Sequence, residues 1–148
     1  MVLVGGMVLT TVAAADDVAD VKAATLDHIA TLNAGDAGAH VQHHLAEHSS
    51  FLAAGGLLQE SSSLEDQKNS LKALFDAGLK INWQVRHLKV KVYGNTAVTT
   101  CYLVGTITQP NGTTQQGTWR RSAVLIKQGG QWKEAHVHQS QLLPAPPQ

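Results

Sequence analysis

Two histidines stand two residues apart in the run Trp132-Lys133-Glu134-Ala135-His136-Val137-His138-Gln139-Ser140. On a strand, residues two apart project from one face, so His136 and His138 are expected to share a side with Trp132, Glu134 and Ser140. An imidazole titrates near pH 6.5 and can act as a general base at neutral pH without large tuning. Beside a hydroxyl and an aromatic wall, that face could move a proton on a bound organic molecule. Its plain alternative is structural, with the histidines bridging backbone or subunits. Arg120 and Arg121 adjoin Trp119 on an earlier run, and only one of two neighbours on a strand can enter a given face. An inward Arg121 would offer a carboxylate its two-pronged donor geometry; a surface arginine paired with a cross-strand acid is the competing reading. Tyr102 could add a hydroxyl to the same space, leaving Cys101 facing away. Trp83 and Trp119 fall on strands, where core packing is the default for an indole and the wall of a ligand pocket comes second.

A second group of histidines lies earlier in the chain. His40, His44 and His48 step by four and would stack along one helix face. Imidazoles at that spacing can share Zn²⁺, Cu²⁺ or Ni²⁺, and Glu47, four after His43, could add an oxygen. The spacing matches no established motif, so a solvated polar face is expected here, with no metal and no other cofactor. Cys101 is the single cysteine, which excludes an intramolecular disulfide and a cysteine zinc site. Its apolar surroundings predict a buried, inert thiol. No P-loop, dinucleotide-binding glycine pattern, nucleophile elbow or zincin motif is present.

These residues need elements to position them. Val18, Val21, Thr25, Ile29 and Leu32 define one face of a helix over Asp16 to Asn33, ended by Gly35. Asp36 is placed to cap a second helix with Val41 and Leu45 facing inward. Phe51 to Leu58 reads as a short strand or loop pair. Ser63 and Asp66 resemble a capping box, opening a third helix marked by Leu64, Leu71, Leu74 and Phe75 and ending at Gly78. Beyond Gly78 the period changes to two. Strands are expected over Lys80 to Tyr93, Ala97 to Thr108, Thr118 to Lys127 and Trp132 to Leu142, joined by turns at Gly94-Asn95, Pro110-Asn111-Gly112 and Gly129-Gly130. Helices followed by hairpin-linked strands make an α+β domain, an antiparallel sheet with helices on one face.

The 148 residues, 43% apolar and 15% charged, suit one compact domain with a real core. Eleven basic side chains balance eleven acidic ones, and no like-charge block occurs. Nucleic-acid binding and an acidic membrane surface are therefore not expected. Val2 to Val12 is apolar and runs into Ala13-Ala14-Ala15, then Asp16-Asp17. This pattern fits residues 1–15 as a secretory signal peptide, too short to span a bilayer. It lacks the usual basic residue ahead of the apolar core, as a leader cut short at its start would. The expectation is a periplasmic or secreted domain over residues 16–143, with a disordered Pro-rich tail over 144–148.

The last strand, with its Gly-x-Trp turn leading into W-x-x-x-H-x-H-x-S, resembles that of SnoaL-like domains in the nuclear transport factor 2-like superfamily. It is also similar to that of the calcium/calmodulin-dependent kinase II association domain. The Asn33-Ala34-Gly35-Asp36 break, the Gly94-Asn95-Thr96-Ala97-Val98 hairpin and the apolar Ser122 to Ile126 run fall in matching order, so the resemblance covers Asp16 to Leu142. It implies a strongly bent sheet curled around helices into a cone with a pocket at its open end. The family contains isomerases, cyclases, dehydratases, an epoxide hydrolase and non-catalytic assembly hubs, so the fold fixes no chemistry. The Asp/Tyr pair of ketosteroid isomerases and the Asp-Arg-Asp set of the epoxide hydrolase find no matching positions here. The favoured expectation is a small-molecule-binding domain, homodimeric through its sheet. His136, His138 and Tyr102 are its catalytic candidates, and Arg121, Trp119, Trp83 and Ser140 its ligand-binding candidates. The alternatives are an enzyme of the isomerase, cyclase or dehydratase type with a histidine base, and a non-catalytic oligomerisation module.

Overall fold

A computed structural model describes residues 9–143; residues 1–8, within the expected signal peptide, and the tail over 144–148 lie outside the described residues. Helix α1 spans Leu9–Ala34, α2 Ala37–Val41 and α3 Leu64–Asp76. The strands are β1 (His44–Phe51), β2 (Gln59–Ser61), β3 (Lys80–Tyr93), β4 (Thr96–Thr108), β5 (Thr114–Gln128) and β6 (Gln131–Gln141). They form one sheet in the order β2-β1-β6-β5-β4-β3. All neighbours are antiparallel except β1 and β6, which run parallel. The α+β cone expected from the sequence is therefore the observed architecture, with two more strands than the four that alternation marked.

Helix α1 buries Val21, Thr25, His28, Ile29 and Leu32, the anticipated stripe with His28 added and Val18 only half-buried. It ends where Gly35 adopts φ 69°, a left-handed conformation that costs glycine no Cβ clash. The Gly35 N–H donates to Leu32 O and that of Asp36 to Thr31 O, closing the last turn. Asp36 then caps α2, its carboxylate accepting from Ala39 N at 2.8 Å. Ser63 caps α3 by accepting from Asp66 N at 3.2 Å. Asn33 clamps α1 to the edge strand: its amide donates to Trp83 O and accepts from Trp83 N, both at 2.8 Å.

Two apolar clusters fill the concave side of the sheet. One gathers Ile29, Leu32, Trp83, Cys101, Leu103, Ile107 and Trp119; the other gathers Val21, Ala97, Ala123, Leu125, Trp132 and Val137. Two glycines meet across the sheet where Trp83 pairs with Gly105 and Gly105 with Gly117. A Cβ on Gly105 would lie 1.9 Å from Asn82 O, inside backbone that cannot yield. Gly105→Ala is therefore expected to destabilise the domain by about 2–4 kcal/mol through overpacking and backbone strain. Urea unfolding measures this, and an unchanged midpoint would show that the close approach of β3 to Gly105 is not needed for stability.

Candidate functional site

The second histidine group does not lie on one helix. Helix α2 stops at Val41, and just before β1 His43 O accepts from Glu134 N at 2.7 Å. Sheet pairing with β6 replaces helical hydrogen bonding from there on. His40 thus sits on α2, while His44 and His48 stand on one face of β1, since a spacing of four also returns to the same side of a strand. Their rings stack in parallel, with centroids 4.0 Å apart. The solvated face expected from sequence is instead turned inward: His40 and His44 are buried. Leu45, expected to face inward, is only half-buried.

The last strand departs from simple alternation. Val124 pairs with His136, but Leu125 pairs with Glu134, so Ala135 is an extra residue and β6 bulges there. The bulge reverses the facing of all that follows. Trp132 and Glu134 point inward, then Val137 and Gln139 take over that side. His136, His138 and Ser140 therefore do not share a face with Glu134, which corrects the sequence expectation. His136 Nδ1 instead lies 2.8 Å from Ser49 Oγ, and both rings approach Phe51 on the outer side of β1. Tyr102 pairs with Arg120 and Arg86 on the outer face and is 40% exposed, while Cys101 is buried inside, the reverse of the orientation expected for this pair. Burial raises the Cys101 thiol pKa, in keeping with an inert thiol.

Arg121 does point inward, and its partner there belongs to the chain. Its Nη2 forms a buried salt bridge with Glu134 Oε2. Trp119 is fully buried in the core, tilted against Trp83 at a centroid distance of 5.7 Å. Trp83 contributes to the wall of the cavity.

Around Glu134 the elements converge. His48 Nε2 lies 3.3 Å from Oε1 and His28 Nδ1 3.5 Å from Oε2. His28 Nε2 stands 3.1 Å from His40 Nε2 and 2.9 Å from His44 Nε2. His44 Nδ1 meets Gln67 Oε1 at 2.6 Å, and the Gln67 amide donates to Leu45 O and Ala46 O. His43 pairs with Asp27 at 3.0 Å on the more exposed flank. The sequence pattern does not single out His28 or Gln67, nor the pairing of the inward Glu134 with Arg121. His28 was visible as the residue three after Thr25 on the buried stripe of α1; the other two depend on distant pairing.

This cluster floors a cavity of about 650 Å³ that opens at the wide end of the cone. Its upper wall is apolar, built by Leu32, Leu71, Leu74, Leu79, Ile81 and Ile107. Burial holds His28 below the ordinary imidazole pKa despite nearby Glu134, and holds His40 well below it; His44 is lowered to about 3. Burial alone would raise the Glu134 carboxyl, but the Arg121 guanidinium, His28 and His48 outweigh it and keep the group well below the usual carboxylate range. The floor therefore presents neutral imidazoles around a compensated carboxylate.

A bent sheet curled over helices, with an open-ended cavity, defines an α+β cone of the nuclear transport factor 2-like class. A profile of the SnoaL-like domain matches residues 21–145, and the chain belongs to that family. No curated protein matches the sequence. Among solved structures, a ketosteroid isomerase-like protein from Erwinia carotovora atroseptica superposes with a TM-score of 0.71 at 16% identity, over 87% of this chain and 98% of its own. A candidate dehydratase of the nuclear transport factor 2-like family from Streptomyces avermitilis gives 0.74 at 18%, over 88% and 99%. A candidate calcium/calmodulin-dependent kinase II association domain from Xanthomonas campestris gives 0.63 at 18%, over 82% and 85%. At these identities the likeness is one of fold. Among the described residues, no helix is long and apolar enough to cross a membrane.

The pKa shifts carry a signed consequence. Unfolded histidines titrate near 6.5, so below that pH the unfolded chain binds protons that native His28, His40 and His44 refuse. Their contribution is complete above pH 6.5 and is lost as pH falls toward the folded values. Glu134, also lowered, adds stability above the unfolded carboxylate pKa and loses it as pH falls through its own folded value. In chelator-treated protein, the unfolding free energy should fall from pH 6 to pH 5, His44 alone contributing up to about 1.4 kcal/mol and His28 and His40 adding in the same direction. Urea midpoints across this range test it, and a flat profile would mean that the histidines are not held neutral.

Proposed function

We propose that this protein binds a small, uncharged, amphipathic organic molecule in the cone, its apolar body against the aliphatic wall and a hydroxyl or carbonyl head on the histidine floor. The observation that carries this is the pairing of an apolar wall with a floor of neutral imidazoles in one open cavity. A carboxylate ligand is disfavoured, because the inward guanidinium of Arg121 already holds Glu134. Neutral imidazoles can donate to or accept from a hydroxyl or carbonyl without a countercharge. A ligand volume of a few fused rings suits the space.

A thermal-shift series of sterol-like ketones, phenols and matched carboxylates, run on chelator-treated protein, tests the reading. The neutral compounds should raise the melting temperature, with about 2.7 kcal/mol of stabilisation at one hundred times the dissociation constant. Leu71→Trp, which fills the cavity from α3, should abolish the shift while retaining the fold. A series without any shift, or carboxylates outperforming the neutral compounds, would overturn the proposal.

One observation favours catalysis as a second reading. His48 borders the cavity with Nε2 3.3 Å from Glu134 Oε1, an imidazole beside the carboxylate that could orient it as a proton carrier. An isomerase or dehydratase would then lose turnover in His48→Gln with ligand binding largely kept. Loss of both together would leave His48 a binding residue only.

The same reading takes the mature protein as an exported homodimer. Support comes from the leader-like pattern before Asp16 and from Tyr102 and Val104 exposed on the outer sheet face. Light scattering should give twice the chain mass, and N-terminal sequencing of the expressed protein should begin near Asp16. A monomer, or a product retaining residues 1–15, would count against the respective part.

A further inference from the structure

The three imidazoles of His28, His40 and His44 present their Nε2 atoms to one another, and their protons can be assigned. Gln67 donates through its amide nitrogen to Leu45 O and Ala46 O, so the oxygen facing His44 Nδ1 at 2.6 Å is an acceptor. His44 therefore carries its proton on Nδ1, and its Nε2 is a lone pair. Thr31 Oγ1 gives its proton to His28 O at 2.7 Å and faces His40 Nδ1 at 3.2 Å as an acceptor. His40 is likewise protonated on Nδ1 with a lone pair on Nε2. His28 Nε2 lies between these two lone pairs, at 2.9 and 3.1 Å. One proton there can serve only one of them well; with the proton instead on Nδ1, which faces Glu134 Oε2 at 3.5 Å and Arg121 Nη2 at 3.3 Å, three lone pairs lie within 4.8 Å of one another.

We propose that His28, His40 and His44 bind one divalent transition-metal ion, Zn²⁺ by preference, with its fourth coordination position open to the cone cavity. A cation can accept all three lone pairs at once, which a single proton on His28 Nε2 cannot do for both of its neighbours. Tetrahedral zinc with Zn–N bonds of about 2.0–2.1 Å separates its ligand nitrogens by roughly 3.3 Å. The observed 2.9 and 3.1 Å need to open by only a few tenths of an ångström. Each imidazole already has the outer partner a metal ligand needs on its other nitrogen. Gln67 Oε1 serves His44, Thr31 Oγ1 and His28 O serve His40, and Glu134 Oε2 serves His28 at 3.5 Å. The nearby positive charge of Arg121 is neutralised by its salt bridge to Glu134. All three imidazoles border the cavity, so a water or an oxygen of the organic ligand can complete the coordination. Three protein ligands with one open position is the arrangement of zinc sites that bind or activate small molecules, whereas structural sites are closed by four. This site stands whether or not the cavity takes an organic ligand, because the metal titration needs none.

The test is a Co²⁺ titration of the chelator-treated full chain. One equivalent should develop the intense visible bands of tetrahedral Co²⁺, and one equivalent of Zn²⁺ should erase them. X-ray absorption of the Zn²⁺ form should show three imidazole nitrogens at about 2.0–2.1 Å. His44→Ala should abolish the bands, Gln67→Ala should weaken binding by about 10–100-fold, and His138→Ala should leave it unchanged. If His44→Ala does not fold, the absorption measurement on the native chain decides alone. No bound metal in the native chain, an octahedral spectrum, or binding retained in a folded His44→Ala protein would overturn the proposal.

Discussion

The buried salt bridge between Arg121 and Glu134 is the constraint on which the rest of the interior depends. Glu134 on β6 faces Arg121 on β5, His28 on α1 and His48 on β1, so one carboxylate joins four elements. Both charged side chains are nearly inaccessible, and neither could remain ionised there alone. A buried pair of this kind adds little to net stability over an apolar replacement, yet loss of one partner costs several kcal/mol. Its effect here is to fix position: it determines which way His28 and His48 turn and keeps the surrounding imidazoles close to a compensated charge.

Much of the cone was legible in the sequence because its elements are regular. The stripe on α1, the caps at Asp36 and Ser63, and the change of period after Gly78 each rest on interactions within a few residues. The site was less legible, for reasons that are also local. A spacing of four is common to a helix face and a strand face, so His40, His44 and His48 could not by themselves distinguish the two. What decides is the hydrogen bonding of His43 and the residues after it to β6, about ninety positions later. One extra residue, Ala135, then exchanged the faces of Glu134 and the two late histidines. Alternation read through a bulge inverts its answer from that point on. Residue type leaves Arg121 open between an inward position and a surface pair with a cross-strand acid; only the assembled sheet shows that it is inward and that an internal carboxylate takes the place of a ligand's.

The wall and floor of the cavity answer to different constraints. The apolar wall draws on α3, β3 and β4, elements that tolerate exchange among aliphatic side chains of similar volume. The floor draws on single polar atoms held by specific outer partners, Thr31 for His40 and Gln67 for His44. A change in the wall alters which shapes enter. A change in the floor alters what can be done to the molecule that has entered.

The parallel pairing of β1 with β6 has a consequence for the order of events during synthesis. His48 and Glu134 are separated by 86 positions, and Arg121 and His28 by 93. Helix α1 and the β3–β4 hairpin can form while the later strands are still within the ribosome, but the floor cannot. It exists only after the last strand has emerged and slipped between β1 and β5. Until then the early histidines are solvated and free to protonate, and the emerging chain is without its cavity floor. Assembly of the site thus coincides with completion of the chain, so a nascent domain truncated before β6 has most of its sheet and none of its chemistry.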